Sequence, residues 1–156
     1  MSNVNVQIKF RNESYRELTQ YQSAGAAGFD LRANLEEDLV LQPGQCELVD
    51  SGLSVFIDNP EYAGFILPRS GLGHKHGIIL GNGTGLIDSD YQGKLMISVW
   101  NRSNQEFTIK PDERIAQYVV QPVLQVGFIE VPVDQEFTVE HSGARGENGF
   151  GSSGTK

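Results

Sequence analysis

The chain has 156 residues, 38% of them hydrophobic and 21% charged, with a formal net charge of −8. That length supports one domain with a core of its own, without disulfide or metal staples. The acidic balance excludes nucleic-acid polymers as partners, because duplex binding rests on clustered Lys and Arg.

The opening MSNVNVQIKF lacks a basic stretch followed by an apolar run, and no segment approaches membrane-span length. Val4, Val6, Ile8 and Phe10 alternate, the period of a half-buried strand. Tyr21 to Gly28 is Ala/Gly-rich and reads as loop. Phe29 and Leu31 then share one face, with Asp30 and Arg32 on the other. Leu39 and Leu41 precede a Pro43-Gly44 turn, and Glu47 to Val49 and Leu53 to Ile57 read as strands. Cys46 between them is the only cysteine, so no internal disulfide forms and a reducing, cytoplasmic location is expected. Asp58-Asn59-Pro60 turns the chain into a strand carrying Ala63, Phe65 and Leu67. Short strands at regular spacing, with no long 3.6-period stripe, predict an all-β sandwich or barrel.

Pro68-Arg69-Ser70-Gly71-Leu72-Gly73 follows, and Ser70 is expected to N-cap a short helix over Gly71 to His76. On local grounds a capped surface turn fits Arg69 and Ser70 better than an anion site does. His74 and His76, without other soft ligands, support no zinc site. Gly81, Gly83 and Gly85 remove side chains where a ligand would need close backbone approach, and Asp88, Asp90 and Tyr91 follow. Such a carboxylate pair between strands is a site candidate. Leu95, Ile97 and Val99 alternate, with Met96 opposite, either lining a pocket or filling core. Trp100, Phe107 and Ile109 belong to core strands. Pro111-Asp112 forms a turn, expected as type I, before Arg114 and Gln117. Gln121 to Phe137 reads as further short strands, with Val123, Val126, Phe128 and Ile129 able to supply core. Residues 141–156 hold five glycines and little apolar surface, so they read as an arm, with Arg145 and Phe150 standing out.

Five stretches, in order, resemble the five motifs of bacterial-type trimeric dUTPases. They are AGFDLRA (Ala27 to Ala33), PRSGLG (Pro68 to Gly73), GLIDSDYQG (Gly85 to Gly93), PDERIAQ (Pro111 to Gln117) and RGENGFGSSG (Arg145 to Gly154). The resemblance implies a jelly-roll-like β subunit (residues 1–140) in a homotrimer, with residues 141–156 closing over a neighbour's site. It implies Mg²⁺-assisted hydrolysis of dUTP to dUMP and pyrophosphate, limiting uracil in DNA and supplying dUMP for thymidylate synthesis. Asp88 would be the general base, and Asp30 would hold magnesium through water. Arg69, Ser70, Gly71, Gln117 and Arg145 would serve the phosphates, with Gly151 and Ser152 beside them in the arm. Asn82 and Leu86 would serve the base, Tyr91 the deoxyribose and Met96 the pocket lining, with Phe150 stacking on uracil. The chain departs from the family pattern at Gly83-Thr84, at Asp112 and at Asn148, the last two usually glycine. Two rivals carry different chemistry: the dCTP deaminases, which share the fold, and a non-catalytic nucleotide sensor, which would need no base at Asp88.

Overall fold

The computed structural model describes residues 4–138. Two units divide the chain, residues 1–125 and residues 126–156. The first is all-β and jelly-roll-like, and every strand pairing is antiparallel.

Its strands are β1 (Gln7–Phe10), β2 (Phe29–Arg32), β3 (Leu39–Leu41), β4 (Cys46–Asp50), β5 (Leu53–Phe56) and β6 (Tyr62–Pro68). After the short helix α1 (Ser70–His76) come β7 (Ile78–Leu80), β8 (Gly85–Ile87), β9 (Met96–Asn101), β10 (Phe107–Ile109) and β11 (Arg114–Pro122). The largest sheet runs β2-β11-β6-β8, and a second runs β4-β9-β7. β1 pairs with β5, and β10 with β3.

Alternation on these strands builds the core. Leu31, Val49, Leu53, Val55, Ile97, Val99 and Ile109 are buried, and Val6, Ile8 and Phe10 pack against them as the period-2 pattern predicts. On β6 Ala63, Gly64 and Ile66 are buried, while Phe65 and Leu67 are half-buried. Trp100 lies in β9, but its side chain is on the outer face, with Val99 and Asn101 facing inward. Ser51, Ser54 and Asn101 are the buried polar residues among those described, and Asn101 is the largest of them. Its amide donates to the carbonyls of Leu41 and Gln105 at 3.0 and 2.7 Å, which latches the turn leaving β9.

Tyr118 is fully buried on β11 of the large sheet, its ring tilted 43° against Phe29 at 5.4 Å. Its hydroxyl sits in the niche left by Gly64, where a Cβ would collide with it. Burial without a hydrogen-bond partner pushes the phenol up to about 12.

Two expectations need correction here. The Pro111-Asp112 turn is not type I, because Asp112 has φ +62°. A left-handed residue at the third position, with Glu113 N–H donating to the Lys110 carbonyl at 3.2 Å, is the type II requirement. The stretch after Pro122 also forms no strands among the described residues. Val123 is half-buried, but Val126, Phe128 and Ile129 are 65%, 93% and 90% exposed and supply no core. Pro122 and Pro132 remove ladder donors, and the alternation finds no strand to pair with among the described residues. The boundary expected at residue 140 lies outside the described residues.

Candidate functional site

Asp30 stands on β2 directly across from Gln117 on β11, so the two share a face. Arg114 joins them through a β-bulge. A regular strand would put residues three apart on opposite faces, but the register shifts between Arg114 and Ala116. Ile115 and Ala116 are both buried, and Arg114 returns to the face of Gln117. From there it places NH1 3.1 Å from Asp30 Oδ2, while Arg69 Nε lies 3.1 Å from Oδ1. Arg69 also donates to the Arg114 carbonyl at 2.9 Å, and Gln117 Nε2 donates to the Pro68 carbonyl at 3.0 Å. Asp30 is thus a half-buried carboxylate locked between two guanidinium groups.

The helix that follows differs from expectation at its start. Ser70 is its first residue and Arg69 is the cap, extended at φ −82° and ψ 131° with no side-chain cap hydrogen bond. The Arg69 side chain is turned to Asp30 instead, and Ser70 and Gly71 are left exposed. A cavity of about 400 Å³ is lined by Asp30, Arg69, Ser70, Gly71 and Gln117, together with Lys75 and His76. The last two went unassigned in the sequence because nothing there tells which side of a seven-residue helix faces the cleft. His76 rests at 5.3 Å on Phe107.

Asp88 lies elsewhere. It follows β8, on the far side of β6, and lines a cavity of about 490 Å³ with Ser89, Asp90, Asp58 and Tyr62. Asp88 and Asp90 are both exposed, so burial does not set them apart. The Ser89 carbonyl accepts from Asp58 N–H at 2.9 Å, and the Asp88 carbonyl accepts from Tyr91 N–H at 3.2 Å. Tyr91 folds back over Gly93 and donates to the Lys94 carbonyl at 2.9 Å. Asn82 is exposed in the turn between β7 and β8, Leu86 is exposed on β8, and Met96 is half-buried at the start of β9, opposite Asp50. Gln117 pairs with Leu67 and Ile87 with Gly64, so two strand spacings and four residues separate the cleft from Asp88, roughly 17 Å. Arg145, Phe150, Gly151 and Ser152 lie outside the described residues, as does Asn148.

No group of three or more His, Cys, Asp or Glu side chains is placed to hold a metal among the described residues. Asp30 has each oxygen engaged by one arginine, which leaves acceptor capacity on both. A single acid of that kind fits a magnesium ion that keeps most of its waters.

The comparisons with known proteins agree with the motifs. The sequence pattern of the dUTPase family matches residues 14–154. The chain is 54% identical over 154 residues to the deoxyuridine 5'-triphosphate nucleotidohydrolase of Neisseria meningitidis serogroup B, covering 98% of this chain and 99% of that one. It is 58% identical over 137 residues to the enzyme of the same name from Alcanivorax borkumensis, covering 88% and 87%. A variant of the Staphylococcus bacteriophage 80alpha dUTPase, solved with dUpNHpp, superposes with a TM-score of 0.80 at 27% identity, covering 97% of this chain and 99% of that one. The chain therefore belongs to the dUTPase family, the hydrolases that act on deoxyuridine triphosphate.

Proposed function

We propose that this chain works as a cytoplasmic homotrimer whose sites each draw on more than one copy, cleaving dUTP to dUMP and pyrophosphate. One observation carries this reading: the phosphate-type cleft and Asp88 lie roughly 17 Å apart across a rigid sheet. A base must come within hydrogen-bond reach of the water it activates, so this separation favours a site that takes Asp88 from a second copy. Closed cyclic assembly brings one copy's Asp88 to another copy's cleft.

In such a site Asp88 orients a water and takes its proton as the oxygen attacks the α-phosphorus. The bond to the bridging oxygen breaks and pyrophosphate departs. Ser70, Gly71 and Gln117 hold the phosphates, and Arg69 keeps the cleft's charged frame in place. This is positioning and electrostatics, with no covalent intermediate. Asp30 would hold magnesium through water, and the ion would neutralise charge on the leaving pyrophosphate. Backbone groups near Asn82 match uracil's acceptor–donor–acceptor edge, where cytosine's amino group would be mispaired. Leu86 and Met96 line the base pocket, and Tyr91 packs under deoxyribose and excludes a 2′-hydroxyl. Residues 141–156 close the site, with Arg145, Gly151 and Ser152 on the phosphates and Phe150 on uracil. The product then feeds thymidylate synthesis, and dUTP is kept out of DNA.

The test is pyrophosphate release with magnesium from dUTP, dCTP, dTTP and UTP, by wild type and by Asp88→Asn. Wild type should act on dUTP alone. The variant should lose about 10²–10⁴-fold, the usual worth of a general base, while binding a non-hydrolysable dUTP analogue nearly as before. Hydrolysis persisting near the wild-type rate would remove Asp88 from the role of base.

A further inference from the structure

We propose that Tyr15 and Asp112 form a positioning pair that holds the Lys110–Glu113 turn, and through it Arg114, in the conformation the phosphate cleft needs. The proposal rests on the reading of that cleft given above and adds two residues that never touch substrate.

Asp112 occupies a place built for glycine. Its φ of +62° is the left-handed region, which an L residue enters at a steric cost that Asp and Asn bear better than most. Three contacts hold it there. Its N–H donates to the Ala33 carbonyl at 2.9 Å, and its carbonyl accepts from Arg32 NH1 at 2.8 Å. Glycine could make both. The third contact needs a side chain: Asp112 Oδ1 accepts from the Tyr15 hydroxyl at 2.7 Å.

Tyr15 delivers that hydroxyl through the core. It ends a single 3₁₀ turn (Glu13–Tyr15), is 1% exposed, and lays its ring against Gly52. The same hydroxyl lies 3.2 Å from the Ala33 carbonyl, so one proton is shared between the end of β2 and the turn before β11. Ala33 N–H completes the join by donating to the Glu113 carbonyl at 2.8 Å. Burial first, then the Asp112 carboxylate, push the phenol well above its ordinary range, so the hydroxyl stays a donor at any working pH.

The consequence runs one residue further. Arg114 leaves this turn and supplies two groups to the cleft, its guanidinium to Asp30 and its carbonyl to Arg69. A turn that relaxes shifts the carbonyl, and Arg69 and the Asp30 clamp shift with it. A displacement of about 1 Å at a site that works by positioning is costly to turnover.

The experiment compares Asp112→Gly, Tyr15→Phe, their double variant, Asp112→Asn and Arg69→Ala, each verified as folded by circular dichroism at the assay temperature. Readouts are kcat and KM for dUTP with magnesium. Asp112→Gly and Tyr15→Phe should each lower kcat/KM about tenfold, chiefly in kcat, as expected for lost positioning. The double variant should be no worse than the worse single, because both remove the same bond. Asp112→Asn keeps an acceptor oxygen and tolerates positive φ, so it should stay within about twofold of wild type. Asp112→Gly relieves the left-handed strain and keeps the Tyr15 ring, so it folds even if Tyr15→Phe does not. Wild-type kinetics in Asp112→Gly, additive losses in the double variant, or failure of Asn to rescue would each overturn the pair. An intact Arg69→Ala would overturn the cleft reading and the pair with it. A damaged Arg69→Ala beside an intact Asp112→Gly would overturn the pair alone.

Discussion

Single residues in this chain divide by whether motif chemistry or packing decides their role. Asp30, Arg69, Ser70 and Gln117 could be named from the sequence, and the structure brings them to one cleft. Tyr118 could not, because its significance depends on Gly64 from another strand. Its buried hydroxyl has no hydrogen-bond partner among the described residues, so Tyr118→Phe should stabilise the fold by about 1 kcal/mol at neutral pH. The effect should grow in alkali. An unfolded chain releases a tyrosine proton near the ordinary value of 10.0, whereas Tyr118 holds its own to about 12. Stability is therefore fully present below about 10 and drains as pH rises through about 12. Urea unfolding of both proteins at pH 7 and pH 11 checks this, and a variant as alkali-sensitive as wild type would refute it. Asp112 shows the opposite limit, since proline–aspartate reads as an ordinary turn until the backbone reveals φ +62°.

At the scale of elements, the alternating strands before Pro122 were legible because each buries one face in its own chain. The bulge at Ile115 was not, and without it Arg114 and Gln117 read as pointing apart. Nor was the helix cap, which Arg69 takes because its side chain is committed to Asp30. The segment after Pro122 misled for a physical reason: apolar alternation reports a surface to be covered but not which chain covers it. Among the described residues the buried hydrophobic core lies within Tyr15 to Val119. Deleting residues 145–156 should accordingly leave the melting temperature within about 2 °C of wild type while turnover falls steeply, since Arg145 and Phe150 go together. Undiminished turnover in the shortened chain would show that these residues take no part in the site.

For the whole molecule, the proposed sharing of Asp88 between copies would make oligomeric state a catalytic property. Three chains of 17.2 kDa should travel as a particle of about 52 kDa in light scattering. Two dead variants should also rescue each other. Asp88→Asn damages one contribution and Gln117→Ala the other, so chains co-refolded from a mixture should regain sites with both parts intact. If each site lay within one chain, no mixture would exceed its parents. That single assay separates an assembled site from a self-contained one.

The exposed ring of Phe128 and the side chains of Ile129 and Phe137 bear on how such a protein comes to exist at all. In the proposed trimer, a newly made copy would expose these oily side chains before it meets its fellows, and they offer any other hydrophobic surface the same welcome. Productive encounter and clumping then compete from the same starting species. Yield from denaturant should be poor when copies are too dilute to find one another and poor again when crowding favours indiscriminate sticking, leaving a best concentration between.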